Sequence, residues 1–380
     1  MSAPPIRVYL SGPAFHLRPG NTDWQYLHLL TRLPEFAPGL TVHRERASWR
    51  TLAFNLRYAA GIAARRLNPA RAQASLPALE STLSPSDLRR SRSDLVYAYG
   101  YCPVNSGPLP LVFHTGAVDR ARLASSGLTA ERIEAFLQSR RRIMSAATLL
   151  TANSQAALDN LAEIAPEARK KMRLLPFFLP YLATGEGLVD ENSIRAKFRQ
   201  TGPMRLLFVG REARRKGLPE VLDAFKALDA RLPGALELTV VSSLSDGEIS
   251  IPRMPNLTRI AQLDREAVQL RMRESHFLLM PSHFEGYGWV YLEAMAAGAV
   301  PVASDAPIQR EILANGAAGV LAAPDAARLE AALLPLLNHK SAIEQLAVQA
   351  WKRCREHYLP KPVAKRMSEV FEEAKEIGAR

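Results

Sequence analysis

Cysteine is nearly absent from this chain. Cys102 and Cys354 are its only two in 380 residues, too few for a disulfide framework or a cysteine-based zinc site, and both read as ordinary small apolar residues. Long apolar runs are missing too. No stretch of about 18 apolar residues occurs, so no membrane-spanning helix is expected. The start, Met1-Ser2-Ala3-Pro4-Pro5-Ile6-Arg7, has no basic segment leading into an apolar one, and the expected address is cytoplasmic. There is no His-Glu-x-x-His pattern and no clustered His/Asp spacing, so no metal site is expected. His276 and His283 read as packing or surface residues. A Gly-x-Ser-x-Gly elbow and a Walker phosphate loop are both lacking, which removes the usual marks of a serine hydrolase and a P-loop NTPase. No internal repeat or low-complexity tract is present.

What is there is the composition of a globular protein. Apolar residues make up 47% and charged residues 23%, which excludes a largely disordered chain. A length of 380 residues predicts two domains. Short β-branched apolar runs alternate with longer helical patterns, the order of an α/β protein with parallel sheets. The runs predict strands at Ile6–Leu10, Leu95–Ala98, Leu111–His114, Thr148–Thr151 and Met172–Leu175, with helices at 23–32, 129–144 and 154–162. Between Tyr181 and Pro203 the pattern lapses into Gly, Asp, Asn and charged residues, which predicts a linker. It restarts with strands at Arg205–Val209, Leu236–Val241, Phe277–Met280, Val300–Ser304 and Val320–Leu321. Helices are expected at Leu218–Arg231, Gly288–Ala297, 325–337 and 341–357, and a last one at 362–377 after Pro360-Lys361-Pro362. The expected architecture is two Rossmann-like, doubly wound domains facing a central cleft. A first domain covers 1–182, a linker 183–203, a second domain 204–357 and a terminal helix 358–380. In such folds ligands bind beyond the carboxyl ends of the strands.

Charge is unevenly spread. The chain carries 49 basic and 37 acidic side chains, net +12; residues 1–200 hold 26 basic and 15 acidic ones, so almost the whole excess lies in the first half. Such an imbalance fits an anionic partner for that half, or a solvated arginine face.

Two segments of the second half carry chemistry. In Pro281-Ser282-His283-Phe284-Glu285-Gly286-Tyr287-Gly288-Trp289-Val290, a strand runs through glycines into a helix whose first N–H groups make an anion site. Glu285 precedes that helix and Glu293 lies within it. A carboxylate at the second position suits a ribose hydroxyl pair. The same stretch also reads as a packing junction with two surface glutamates. In Gly210-Arg211-Glu212-Ala213-Arg214-Arg215-Lys216-Gly217, directly after a strand, Arg211 offers a planar fork for phosphate oxygens and Lys216 a point charge. Read alone, such a stretch is more commonly a solvated basic loop; two such loops at strand ends of one domain favour a shared diphosphate site.

These segments resemble the group 1 family of retaining glycosyltransferases with the GT-B fold, which carries a Gly-Arg…Lys-Gly loop and a Glu-x7-Glu motif. Gly210-Arg211…Lys216-Gly217 and Glu285…Glu293 match them, as do Glu293-Ala294-Met295-Ala296-Ala297-Gly298, Pro301-Val302-Ala303-Ser304-Asp305 and Glu311. The match is dense over 205–322 and thins in the first half. The resemblance implies that Arg211, Lys216 and the helix start at Gly288, Trp289 and Val290 grip the donor diphosphate. It implies Glu285 on the donor sugar, Glu293 on the ribose, and Arg259, Ile260 and Ala261 bordering the nucleobase. In the first half it implies a glycine loop at Gly12, Gly20 and Asn21, where Asn21 replaces the family's second glycine. It also implies an active-site role for His114 and a terminal helix that crosses back to the first domain. The activity implied is transfer of a hexose-type sugar to a saccharide or lipid-linked acceptor in envelope or polysaccharide synthesis, with no cofactor or metal required. A nucleotide-sugar epimerase or a phosphorylase of the same fold, or a catalytically silent anion- or membrane-binding scaffold, would share these features.

Residues 44–94 contain ten arginines. Trp49, Leu52, Ala53, Leu56, Ala60 and Leu67 can share one helix stripe, with Arg50, Arg57, Arg65 and Arg66 largely off it. Such a helix suits an anionic inner membrane face, an anionic acceptor, or its own sheet. No recognised nucleic-acid motif or aromatic platform accompanies the charge, which argues against nucleic acid.

Overall fold

The structure is a computed structural model that describes residues 4–11, 30–44, 85–100, 106–118, 120–125, 127–179, 189–243 and 249–380. The chain divides into two compact units, one of Met1–Pro180 with Pro360–Arg380, the other of Tyr181–Leu359.

Unit 1 is built on Ile6–Ser11 (β1), Leu40–Arg44 (β2), Leu95–Tyr99 (β3), Leu111–His114 (β4), Leu149–Ala152 (β5) and Met172–Leu174 (β6), all parallel, in the order β2-β1-β3-β4-β5-β6. Parallel strands are covered on both faces, so the central ones are apolar without alternation. Leu95, Val96, Tyr97, Leu111, Val112, Phe113, Leu149 and Leu150 are all buried. The helix Ala130–Ala146 turns Ile133, Leu137, Ile143 and Met144 onto this sheet. The helix Gln155–Ile164 starts where the Ser154 side chain accepts from the Ala157 N–H. The long helix Pro360–Gly378 returns to the same unit. Its Val363, Ala364, Met367, Val370, Phe371 and Ala374 recur every three or four residues and are buried. Phe371 lies edge-on to Tyr97 at 5.4 Å, and Arg173 of β6 pairs with Glu373.

Unit 2 holds Met204–Val209 (β7), Leu236–Val241 (β8), Leu257–Ile260 (β9), Phe277–Met280 (β10), Val300–Ser304 (β11) and Val320–Ala322 (β12) in the order β12-β11-β10-β7-β8-β9, again parallel. Counted within the unit this is the Rossmann order, whose topological switch point lies between its first and fourth strands, here β7 and β10.

Most strands and long helices stand within a residue or two of their expected positions. The linker expected over 183–203 does not hold for its described part, where a helix, Glu191–Arg199, is capped by Asp190 and packs into unit 2. Trp351 on the neighbouring helix Lys340–His357 donates to the Val189 carbonyl at 2.8 Å. Sequence reading missed this helix because its buried face comprises only Ile194, Lys197 and Phe198, one of them a lysine. The Lys197 ammonium donates to the carbonyls of Ser275 and Gly298, both at 2.7 Å, which lie at the C-terminal ends of two helices. Burial lowers its pKa to about 7. The edge strands β2 and β9 were not expected either. Helix 23–32 lies almost wholly outside the described residues, as do Cys102 and the arginine-rich stretch 45–84 with Arg57, Arg65 and Arg66.

Candidate active site

The switch point of unit 2 is where the two loops meet. After β7 the chain makes a tight turn in which Lys216 N–H donates to Glu212 O, Gly217 N–H to Arg214 O and Leu218 N–H to Ala213 O. Gly217 has φ +81° and caps the helix Leu218–Arg231. A Cβ there would lie 2.4 Å from the Pro281 carbonyl oxygen, so only glycine lets the first loop sit against the start of the second. After β10, the His283 N–H donates to the Arg215 carbonyl at 2.9 Å, while the Arg215 guanidinium donates to the Phe284 carbonyl and to Glu212. Arg215 thus clips one loop to the other. Sequence reading assigned it no role; the only local signal was Glu212 three residues earlier.

The expected donor-site residues fall around this junction. The Lys216 ammonium is ion-paired with the Glu285 carboxylate, both side chains largely buried, with Arg215 at 3.7 Å from the same carboxylate. The sequence reading gave these two residues to different parts of a ligand; the structure pairs them directly. Arg211 is exposed and has no partner among the described residues. Gly288 (φ +93°) turns the chain into the helix Trp289–Ala296, and a Cβ on it would collide with the Tyr291 ring. Tyr291 is in turn anchored by its hydroxyl on the Met280 carbonyl at 2.8 Å. The half-buried positions of that helix are Trp289, Val290 and Glu293, so Glu293 lies one turn beyond Trp289 on the helix's less buried side. Arg259 and Ile260 end β9, and Ala261 follows. The Ser242 N–H donates to the Ile260 carbonyl at 3.0 Å and its hydroxyl to the Gly210 carbonyl at 2.6 Å, tying three strand ends together. Cations, a helix N-terminus and two carboxylates therefore share one end of one sheet, an arrangement suited to a polyanion bearing hydroxyl groups.

His114 belongs to unit 1, at the carboxyl end of β4, and is buried. Its Nδ1 is 2.9 Å from Thr151 Oγ1, and its Nε2 has no partner among the described residues. The ring stacks on Tyr99 at 5.4 Å and 15° and meets Phe177 at 5.2 Å. Burial lowers its pKa to about 3, so the imidazole is neutral. Gly12, Gly20 and Asn21 lie outside the described residues. Among the described residues no cluster of three or more His, Cys, Asp or Glu could hold a metal ion, and no helix is long and apolar enough to cross a membrane.

Residues 189–353 match the family model for glycosyl transferases group 1. The chain is 31% identical over 186 residues to glycogen synthase of Mycobacterium tuberculosis, covering 47% of this chain and 45% of that one. It is 35% identical over 140 residues to phosphatidyl-myo-inositol mannosyltransferase of Mycolicibacterium smegmatis, covering 35% and 36%. The chain thus spans less than half the length of these curated relatives. Solved structures align over nearly its whole length. Sucrose-phosphate synthase of Thermosynechococcus elongatus has a TM-score of 0.60 at 15% identity, covering 97% of this chain and 98% of that one. Anabaena HepE in complex with UDP has a TM-score of 0.62 at 14% identity, covering 97% and 99%. At such identities the solved structures speak for the fold alone. The chain has the GT-B fold, two doubly wound parallel α/β units, and over residues 189–353 it is similar to the group 1 glycosyltransferases.

Proposed function

We propose that this chain is a retaining glycosyltransferase, moving a hexose-type sugar from a nucleotide-diphosphate donor to a saccharide or lipid-linked acceptor. The observation that carries the reading is the junction at the switch point of unit 2, where Gly217 packs on Pro281 and Lys216 meets Glu285 beside a helix N-terminus. A glycogen synthase and a mannosyltransferase are among its relatives, and one structural neighbour was solved with UDP, which supports a nucleotide-sugar donor.

In this reading Arg211, Lys216 and the helix start at Gly288–Val290 bind the diphosphate. Glu293 accepts hydrogen bonds from the ribose hydroxyls, and the backbone of Arg259–Ala261 borders the base. As the glycosidic bond breaks, negative charge grows on the leaving phosphate oxygen, and the pre-placed cations and N–H dipoles stabilise it. No step is assigned to a metal or cofactor. Glu285 holds the sugar hydroxyls, and the acceptor hydroxyl attacks from the face the diphosphate leaves, passing its proton to the leaving phosphate oxygen, which retains the anomeric configuration. The basic first half supplies the acceptor side, for an anionic saccharide or a lipid-linked acceptor at the inner face of a membrane.

The test is a thermal-shift panel of nucleoside diphosphates and nucleotide sugars, followed by release of nucleoside diphosphate from the sugars that bind. At least one nucleotide should raise the melting temperature, since a ligand of the folded state alone stabilises it. Lys216→Ala should abolish most of that rise. No shift with any nucleotide at millimolar concentration would remove the donor site and the reading with it.

A further inference from the structure

His114 is held in a way that decides which of its nitrogens carries the proton. Because the ring is neutral, one of two tautomers is present, and the side-chain hydrogen bond with Thr151 separates them. If Nδ1–H donated to Thr151 Oγ1, the threonine hydroxyl proton would have no acceptor and the Nε2 lone pair no donor among the described residues. Two buried groups would then be unmet. If the Thr151 hydroxyl donates to Nδ1, the hydroxyl is satisfied and only Nε2–H is left. The second arrangement leaves fewer buried groups unpaired among the described residues, which favours the proton on Nε2.

The partners of this contact are fixed by the sheet. Thr151 stands opposite His114 in the β4–β5 register, is fully buried, and accepts the Thr115 N–H on its own carbonyl at 3.0 Å. The His114 carbonyl accepts the Gly100 N–H at 3.0 Å. Thr115 also accepts a hydrogen bond on its hydroxyl from the buried Arg140 guanidinium, which reaches the Gly100 carbonyl as well. With Tyr99 and Phe177 against its ring, the imidazole has little freedom to turn. Nε2 is buried, and none of the described residues answers its N–H. It lies at the carboxyl end of a parallel strand, the end where ligands of such sheets bind.

We propose that Thr151 is a positioning residue that fixes His114 as the Nε2–H tautomer, so that the ring offers one neutral hydrogen-bond donor to a substrate oxygen. His114 then steadies a hydroxyl or a developing oxyanion and does not remove a proton, because its only lone pair is engaged by Thr151. This rests on the proposed glycosyl transfer for the substrate, while the tautomer stands independently of it.

Nitrogen-15 NMR of histidine-labelled protein tests it, with the His114 signals identified by their loss in His114→Gln. The wild type should show a protonated Nε2 and a bare, hydrogen-bonded Nδ1, unchanged from pH 8 to pH 5. Thr151→Val, which keeps the shape and removes the hydroxyl, should mix the tautomers and lower turnover by about tenfold. Nucleoside-diphosphate affinity should stay the same, and Thr151→Ser should restore both the spectrum and the rate. A wild-type ring protonated on Nδ1, or a Thr151→Val protein with unaltered tautomer, overturns the tautomer assignment. An altered tautomer with full turnover overturns the positioning role. A protein that binds no nucleotide but shows the Nε2–H spectrum defeats the glycosyltransferase reading and leaves the tautomer intact.

Discussion

Gly217→Ala is the sharpest probe of the junction between the two loops. An alanine at φ +81° costs about 1–2 kcal/mol for its left-handed backbone. Against this, the stiffer unfolded chain returns about 0.4–1 kcal/mol. The new methyl would also stand 2.4 Å from the Pro281 carbonyl oxygen and 3.0 Å from Pro281 Cγ. Both are parts of a fixed ring and backbone rather than the end of a flexible side chain. Overpacking of that kind costs about 1–3 kcal/mol, which brings the expected loss to about 1–5 kcal/mol, centred near 3 kcal/mol. Gly234 supplies the control, with φ +72° and no atom within 4 Å of where the alanine methyl would stand. Gly234→Ala bears the backbone cost alone and should lose about 1.5 kcal/mol or less. Urea unfolding of the two variants, each compared with wild type, measures the difference. Nucleoside-diphosphate titration should show affinity falling at least tenfold in Gly217→Ala and unchanged in Gly234→Ala. Equal stability losses in the two variants would refute the idea that the loops are packed through this glycine.

Glu285→Gln should release the Lys216 ammonium from its present partner. Calorimetry should then show plain nucleoside diphosphate binding about three- to tenfold more tightly, while sugar transfer slows; weaker binding would mean that Glu285 holds Lys216 in place instead of competing for it. Acid should weaken both units. Burial depresses His114 and His276 to about 3, so between pH 6.5 and 3 the unfolded chain binds protons that the folded chain refuses. Stability is therefore full above pH 6.5 and falls with pH, by about 2 kcal/mol per histidine at pH 5. Denaturation midpoints that do not move between pH 7 and 5 would contradict this.

Apolar strands were the easiest elements to read, because burial on both faces makes them uniform runs, as in Phe277–Met280 and Leu111–Phe113. The glycine-bounded loops were equally plain, since Gly217 and Gly288 stand where the backbone turns left-handed. The strand Leu257–Ile260 was opaque for the opposite reason. It is an edge strand with Thr258 and Arg259 exposed, so its sequence carries no apolar run. The helix Glu191–Arg199 hid behind its charges, and a lysine whose ammonium caps two other helices looks like any surface lysine until the fold is seen. Pairings across the sheet were likewise invisible. Nothing local links Lys216 to Glu285, 69 positions apart, or His114 to Thr151, 37 apart. Such contacts arise only when parallel strands bring their ends side by side.

The return of Pro360–Gly378 to the first unit also sets an order of events during synthesis. Unit 2 is contiguous, and all its strands have been translated before the ribosome reaches Pro360. Unit 1 is interrupted: its sheet is made first, but Val363, Met367 and Phe371, which are buried in it, emerge only after the whole of unit 2. At about 5–20 residues per second, the intervening domain takes roughly ten to forty seconds to make. Throughout that interval the apolar surface that the returning helix will cover lacks its partner, a surface that the finished protein hides.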